Sequence, residues 1–166
     1  AKSWLCSQNI SQTEKILPWQ SELQQKLTPV DTIKGYLEYL KNAFESSLEA
    51  KGEACSLSDQ SIIITVPASF DEMARGLVEK AAKSIGLKKI SLLEEPLAAF
   101  YSWIFHNENN WREKVSPGDV VLVCDIGGGT TDFSLVCISE KDRCLELDRI
   151  SVGNHLLLGG DNMDLA

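Results

Sequence analysis

The sequence lacks a long apolar run and an excess of basic residues. No stretch approaches the roughly 18–20 consecutive apolar residues of a membrane-spanning helix, and the first residues do not have the pattern of a signal peptide. The formal net charge is -8, whereas binding to nucleic-acid phosphates requires a basic surface. We therefore expect no membrane partner and no nucleic-acid partner.

Histidine is scarce, and the common catalytic loops are absent. His106 and His155 are isolated in the sequence, so neither predicts catalysis or metal binding. There is no G-x-S-x-G motif and no Walker A loop. The five cysteines have no metal-ligand spacing, and Cys124 and Cys137 lie in apolar strand patterns. We expect buried, reduced cysteines in a cytoplasmic protein.

The 166 residues, 43% of them hydrophobic, suffice for one domain or slightly more. The chain begins with Ala1 rather than Met and stops at Ala166, where a helix is starting. We interpret the sequence as a piece excised from a longer protein.

Alternating helix and strand patterns predict an α/β fold with a parallel sheet in the first part of the chain. A helix starts at Thr28, which can form a capping box with Asp31. The β-branched run Ile62–Val66 predicts a strand buried on both faces. A capping box beginning at Ser69 precedes a second helix, and a short strand, Ile90–Leu93, precedes a third.

The second part predicts an antiparallel β-meander. Residues 106–118 are polar with a Pro-Gly turn, which is typical of a linker. Three strand patterns follow, at Val120–Cys124, Phe133–Ile138 and Leu145–Val152.

Three successive glycines interrupt the first hairpin of this meander, in the stretch "DIGGGTTD". Gly127 to Gly129 let a backbone approach a ligand closely with several N–H groups, which suits phosphate oxygens, and Thr130 and Thr131 add hydroxyl donors. Asp125 and Asp132 flank the loop and suit a hydrated Mg²⁺ or the positioning of an attacking water. The alternative is a glycine-rich hairpin with turn aspartates.

Two weaker patterns lie on either side of this loop. Glu94-Glu95-Pro96 is either a helix N-terminus with favourable acidic charge or a functional carboxylate at the carboxyl end of a strand. Gly159-Gly160-Asp161 is either another backbone approach to a nucleotide or a turn with a helix cap.

Together, "IIITVPASFDEMARGLVEKAAKSIGL", "SLLEEPLAAF" and "VLVCDIGGGTTDFSLV" resemble the nucleotide-binding domain of the 70-kDa heat-shock chaperones. These ATPases belong to the actin and sugar-kinase superfamily, whose fold is ribonuclease H-like. The similarity is dense over Ile62–Asp164, whereas residues 1–60 diverge, which indicates an atypical, bacterial-type member.

The resemblance implies roles for individual residues. Asp125 matches the aspartate that acts through Mg²⁺-bound water, and Asp132 matches the aspartate that helps to order the attacking water and cations. Glu95 matches the glutamate of the family's Asn-Glu-Pro motif and is expected to act on water and metal. Lys2 matches a catalytic lysine. Residues implied to bind phosphate are Gly127, Gly128, Gly129, Thr130, Thr131 and Gly160. The sequence departs from the family where Glu94 replaces an asparagine and Leu97 a threonine, so signalling between the lobes is open to question.

The resemblance also implies a domain organisation and a function. Residues 1–27 form an irregular segment, 28–105 part of the first lobe, 106–118 a linker, and 119–166 the beginning of the second lobe. The parent protein is an ATP hydrolase using ATP/ADP and Mg²⁺, with unfolded polypeptide clients and cochaperones bound elsewhere. The alternatives are an actin-like bacterial filament protein and a sugar kinase. The isolated chain is expected to be inactive and to self-associate through uncovered sheet edges and faces.

Overall fold

A computed structural model describes residues 5, 14–53, 55–142, 144–153, 156 and 158–164. His155 lies outside these residues. The chain forms two compact units. The first contains residues up to Ile64 together with Phe70–Leu92, and the second contains Thr65–Ser69 and the residues from Leu93 onward. Within the described part of the chain, no helix is long and apolar enough to cross a membrane.

The first unit begins with a long helix, α1 (Pro29–Glu49), and the predicted start of this helix is confirmed. The Thr28 hydroxyl accepts a hydrogen bond from the Asp31 amide, and the Asp31 carboxylate accepts one from the Thr28 amide, which completes a capping box. The Thr28 hydroxyl also donates to the Asp31 carboxylate, and the bonds that this carboxylate accepts from the Thr28 hydroxyl and amide favour its ionised form and lower the pKa of Asp31 below its ordinary value.

Two strands, β1 (Ser61–Val66) and β2 (Lys89–Glu94), pair with each other, and α2 (Glu72–Ser84) connects them. A single turn of 3₁₀-helix, Leu57–Asp59, precedes β1. Helix α2 packs against α1. The predicted apolar stripe of α2 is confirmed, since four of its residues are buried: Ala74, Val78, Ala81 and Ala82.

Three local predictions were wrong. Asp71, not Ser69, caps α2, because the Asp71 carboxylate accepts a hydrogen bond from the Ala74 amide. Strand β1 is not buried on both faces, since alternate residues are shielded and Ile63 is 65% exposed. None of the four described cysteines is buried, although all four are free thiols: Cys124 and Cys144 are exposed, and Cys55 and Cys137 are half-buried.

The second unit contains a three-stranded antiparallel sheet, as predicted. Its strands are β3 (Val120–Ile126), β4 (Thr131–Lys141) and β5 (Cys144–Val152), in the order β3-β4-β5. Helix α3 (Glu95–His106) packs against β3 and β4. The short helices α4 (Trp111–Lys114) and α5 (Gly160–Met163) complete the unit.

Segment 106–118 lies within the second unit, in its part from Leu93 onward. The two faces of the sheet differ in burial. Val136 and Ile138 of β4 are almost fully buried, as is Phe100 of α3. These three residues belong to the core of the unit, where α3 packs against one face of the sheet.

An irregularity in pairing separates the two halves of the β4–β5 ladder. Leu135 pairs with Ser151, whereas the next residue, Val136, pairs with Arg149. Ile150 is therefore an extra residue, as in a β-bulge. The bulge places Arg149 opposite the buried Val136 and leaves Ile150 exposed.

The opposite face of the sheet carries exposed apolar side chains. Leu122 and Leu135 are cross-strand partners on it, and Leu122 is 57% exposed. The other exposed apolar residues of this face are Val120, Ile126 and Phe133. We call these five residues the outward face. Exposed apolar patches of this kind commonly form interfaces.

We predict that the 166-residue chain self-associates, either through its outward face or by adding strands at the sheet edges. Light scattering over a concentration series should show a mass that rises with concentration. Leu122→Lys should weaken this association, because it places a charge at the centre of the outward face. Met73→Lys, which makes the same change on an exposed position of α2, is the matched control. A monomer at all concentrations with a well-dispersed NMR spectrum would contradict the prediction.

Candidate functional site

The glycine loop joins β3 to β4 as a tight hairpin. Its four residues, 127–130, are closed by a hydrogen bond from the Gly127 amide to the Thr130 carbonyl, with a donor–acceptor distance of 2.8 Å. Asp125 and Asp132 are cross-strand partners, so their side chains leave the same face of the sheet. The structure therefore brings the two predicted carboxylates together at the base of the loop.

This pair of carboxylates lies on the face that packs against α3. Asp132 alternates with the buried residues Ser134, Val136 and Ile138 along β4, and it is itself only 7% exposed. Like charges directly opposite each other destabilise a sheet. A bound cation would reduce the repulsion between two carboxylates in this arrangement.

A later stretch of the chain packs against the hairpin. We call Leu156, Leu158, Gly159 and Gly160 the return segment. The Thr131 amide donates a hydrogen bond to the Leu156 carbonyl at 2.9 Å. The Thr131 hydroxyl donates another to the Leu158 carbonyl at 2.8 Å. The Gly160 amide donates to the Gly127 carbonyl at 3.0 Å. The return segment therefore holds the loop in place by backbone contacts.

Gly159 makes the closest of these contacts, and it was not among the predicted site residues. The residue is buried, and a Cβ atom built on it would lie 2.5 Å from the carbonyl oxygens of both Gly127 and Gly128. No side chain fits at such a distance. The sequence did show a pair of glycines before the start of a helix. It gave no reason to expect that Gly159, rather than Gly160, packs closest to the loop.

Hydrogen bonding divides the predicted phosphate ligands into two groups. The amides of Gly127 and Gly160 and the hydroxyl of Thr131 donate within the hairpin and return segment. By contrast, no hydrogen bond among the described residues uses the amides of Gly128 and Gly129, and both residues are exposed. The loop therefore presents two amide donors at a tip without side chains.

Glu95 is the first residue of α3 and is half-buried. Tyr101 and Ile104, in the C-terminal half of α3, line a cavity together with Glu140 and Leu145. Glu140 and Leu145 lie at the end of the sheet that is remote from the glycine loop. The direction of α3 across the sheet therefore places Glu95 toward the half that bears Asp125 and Asp132. Lys2 lies outside the described residues. No group of three or more potential metal ligands occurs in the part of the chain that the structure describes.

The chain as a whole is similar to proteins of one known family. The family model described as "Hsp70 protein" matches residues 3–166. The chain is 32% identical to a protein named chaperone protein HscA homolog from Acinetobacter baylyi, over 89% of this chain and 22% of that protein. It is 35% identical to a Rickettsia akari protein of the same name, over 76% of this chain and 18% of the relative. Chaperone protein DnaK of Carsonella ruddii is 28% identical over 89% of this chain and 22% of its own length.

The fold and site are those of an α/β domain with a glycine hairpin between two carboxylates. The chain belongs to the Hsp70 family, because the family model covers nearly all of it. It spans about a fifth of the length of the curated relatives it matches. The resemblance to heat-shock chaperones is confirmed, and the filament and sugar-kinase alternatives are not favoured.

Proposed function

We propose that this chain supplies the second phosphate loop and three carboxylates of an ATP-hydrolysing chaperone domain with a ribonuclease H-like fold. The observation that carries the proposal is the hairpin tip, where Gly128 and Gly129 are exposed and no hydrogen bond among the described residues uses their amides, with the Asp125–Asp132 pair at the base of the same hairpin. Successive backbone N–H groups are suitable donors to phosphate oxygens, and glycine lets the phosphate approach them closely.

The residues present fit a nucleotide with Mg²⁺. Asp125 and Asp132 concentrate negative charge on one face of the hairpin base, and carboxylates are among the few protein ligands of a Mg²⁺ that keeps most of its waters. We assign Asp125 to the cation through water. The ion would neutralise charge on the transferred phosphoryl group.

The chain's own groups have separate roles in this proposal. The Gly128 and Gly129 amides bind phosphate, and Thr130 adds a hydroxyl. Gly127, Thr131 and Gly160 support the loop through the hydrogen bonds described above. Asp132 and Glu95 accept hydrogen bonds from the attacking water and orient it. Phosphoryl transfer depends mainly on such positioning and charge stabilisation.

The proposal extends to a wider activity that membership of the family suggests. The proposal includes ATP or ADP as the ligand, unfolded polypeptides as clients, and cochaperones, in keeping with relatives that are named chaperones. Lys2 is proposed as the catalytic lysine, and residues 106–118 as a connection between lobes. The free thiols of the described cysteines favour a cytoplasmic location.

The test is ATP hydrolysis by the complete protein that carries this sequence. Steady turnover that requires Mg²⁺ and is abolished by Asp125→Asn supports the proposal. A complete protein that neither binds nor hydrolyses ATP would overturn it.

We predict that the 166-residue chain alone shows no significant ATP hydrolysis. The resemblance places a first phosphate loop and an adenosine pocket in other parts of the family's domain, and positioning by several groups supplies most of the rate. The measurement is phosphate release by the purified chain with ATP and Mg²⁺. Turnover that Asp125→Asn abolishes in the isolated chain would show that these residues suffice.

A further inference from the structure

An ion pair joins two parts of the second unit that lie far apart in the sequence. The Nε atom of Arg149, in β5, donates to the Oε2 atom of Glu94 at the end of β2. The Glu94 side chain is 12% exposed and that of Arg149 is 33% exposed. By comparison, the pair between Lys83 and Glu79 joins neighbouring turns of one helix and is largely solvent-exposed.

Glu94 occupies the position where β2 ends and α3 begins. It is the N-cap residue of α3, with an extended backbone, yet its side chain makes no capping hydrogen bond. Its carboxylate contacts Arg149 instead. Because Glu95 is the next residue and already lies in the first helical turn, any restraint on Glu94 also restrains Glu95.

The β-bulge accounts for the position of Arg149. Regular pairing after Leu135 and Ser151 would place Ile150 opposite Val136. The extra residue instead places Arg149 there, so its side chain leaves the sheet on the face that packs against α3. A bulge is a common means of redirecting one side chain near a functional site.

We propose that Arg149 is a positioning residue for the hydrolytic site. Through Glu94, it holds the start of α3 against the sheet that carries Asp125 and Asp132, and so fixes the direction of Glu95. Its guanidinium also balances the negative charge that Glu94 adds beside Glu95. This inference rests on the proposed function, because it assigns Glu95 to the attacking water.

The test uses the complete protein and measures single-turnover hydrolysis and nucleotide affinity separately. Arg149→Gln should slow hydrolysis about tenfold, because small misplacements of a catalytic group have large kinetic effects. The nucleotide Kd should change by less than about twofold, since the phosphate-binding amides are unaffected. Lys83→Gln, which removes the same charge from the exposed pair in α2, is the matched control and should change neither value.

Measurements in a second background, the Glu95→Ala protein, distinguish a role of Arg149 in positioning Glu95 from a general structural role. If Arg149 acts through Glu95, Arg149→Gln should have almost no effect on the rate in a Glu95→Ala protein. Adding Glu94→Gln to Arg149→Gln should restore part of the rate, because it removes the carboxylate that has lost its guanidinium. Should Arg149→Gln fail to fold, Glu94→Gln breaks the same pair and is compared in the same two backgrounds.

The outcomes separate this inference from the function on which it rests. A wild-type protein without hydrolysis would overturn both. Suppose that the wild-type protein hydrolyses ATP, but Arg149→Gln lowers the rate equally with Glu95 and with Glu95→Ala, or lowers rate and nucleotide affinity together. Either result would overturn only the role of Arg149. An unchanged rate in Arg149→Gln would do the same.

Discussion

Replacing Asp132 or Glu95 by alanine in the complete protein should slow hydrolysis of bound ATP by about a hundredfold or more, with a change in nucleotide Kd below about threefold. The proposed roles explain the difference. In the proposed site, both carboxylates would orient the attacking water, whereas the amides of Gly128 and Gly129 would bind phosphate. Removal of a group that acts mainly in the transition state lowers kcat rather than raising KM.

Single-turnover rates and equilibrium affinities should be measured on the same preparations. Asp132 is nearly buried, so Asp132→Asn, which keeps its shape, should accompany the alanine variant and show a similar loss of rate. Asp148→Ala is the matched control: Asp148 pairs with Cys137 on the face away from α3 and accepts a hydrogen bond from Ser139. Equal losses of rate and affinity in the site variants would contradict the assigned roles.

Gly159→Ala should weaken nucleotide binding by about tenfold to a hundredfold. The new Cβ atom would lie 2.5 Å from the Gly127 and Gly128 carbonyl oxygens, and both are backbone atoms that move only with the loop itself. Overpacking of this kind costs about 1–3 kcal/mol. This cost corresponds to a loss of affinity of about fivefold to 150-fold if the displaced loop must be restored on binding, and the expected range lies within it.

Gly153→Ala provides the matched control. Gly153 lies just after β5 and donates to the Phe133 carbonyl, but an added Cβ would meet Phe133 at 3.5 Å, an ordinary contact distance. We expect its nucleotide affinity to remain within about twofold of wild type, because no overpacking arises. Titration with a fluorescent ADP analogue measures both variants, and thermal unfolding verifies that both are folded. An unaffected Gly159→Ala would show that the return segment does not fix the loop.

Local chemistry made much of the fold predictable. The start of α1 follows from one threonine, one proline and one aspartate, whose capping interactions involve only neighbouring residues. The glycine hairpin was equally clear, since few other reasons explain three glycines between two apolar strands. The start of α2 was less clear because Ser69 and Asp71 are both good N-caps, and only the structure selects between them.

Predictions that depended on distant packing were less successful. The β-branched run at β1 is typical of a doubly buried strand, but the shielding of Ile63 depends on what packs beside it. The contact between Arg149 and Glu94 depends on a bulge that shifts pairing by one residue, and no local pattern marks that shift. The contact of Gly159 with the loop likewise depends on the path of the chain after β5.

The order of synthesis gives the contact with the return segment a further consequence. Ribosomes make a protein from its N-terminus, so the hairpin at 127–130 emerges and can close before Gly159 and Gly160 have been added. During that interval the loop lacks the hydrogen bond from Gly160 to Gly127 and the packing of Gly159. The glycine loop therefore reaches its final geometry only after the nascent chain has extended past Gly160, and a ligand of the completed loop cannot assist the earlier folding of the sheet.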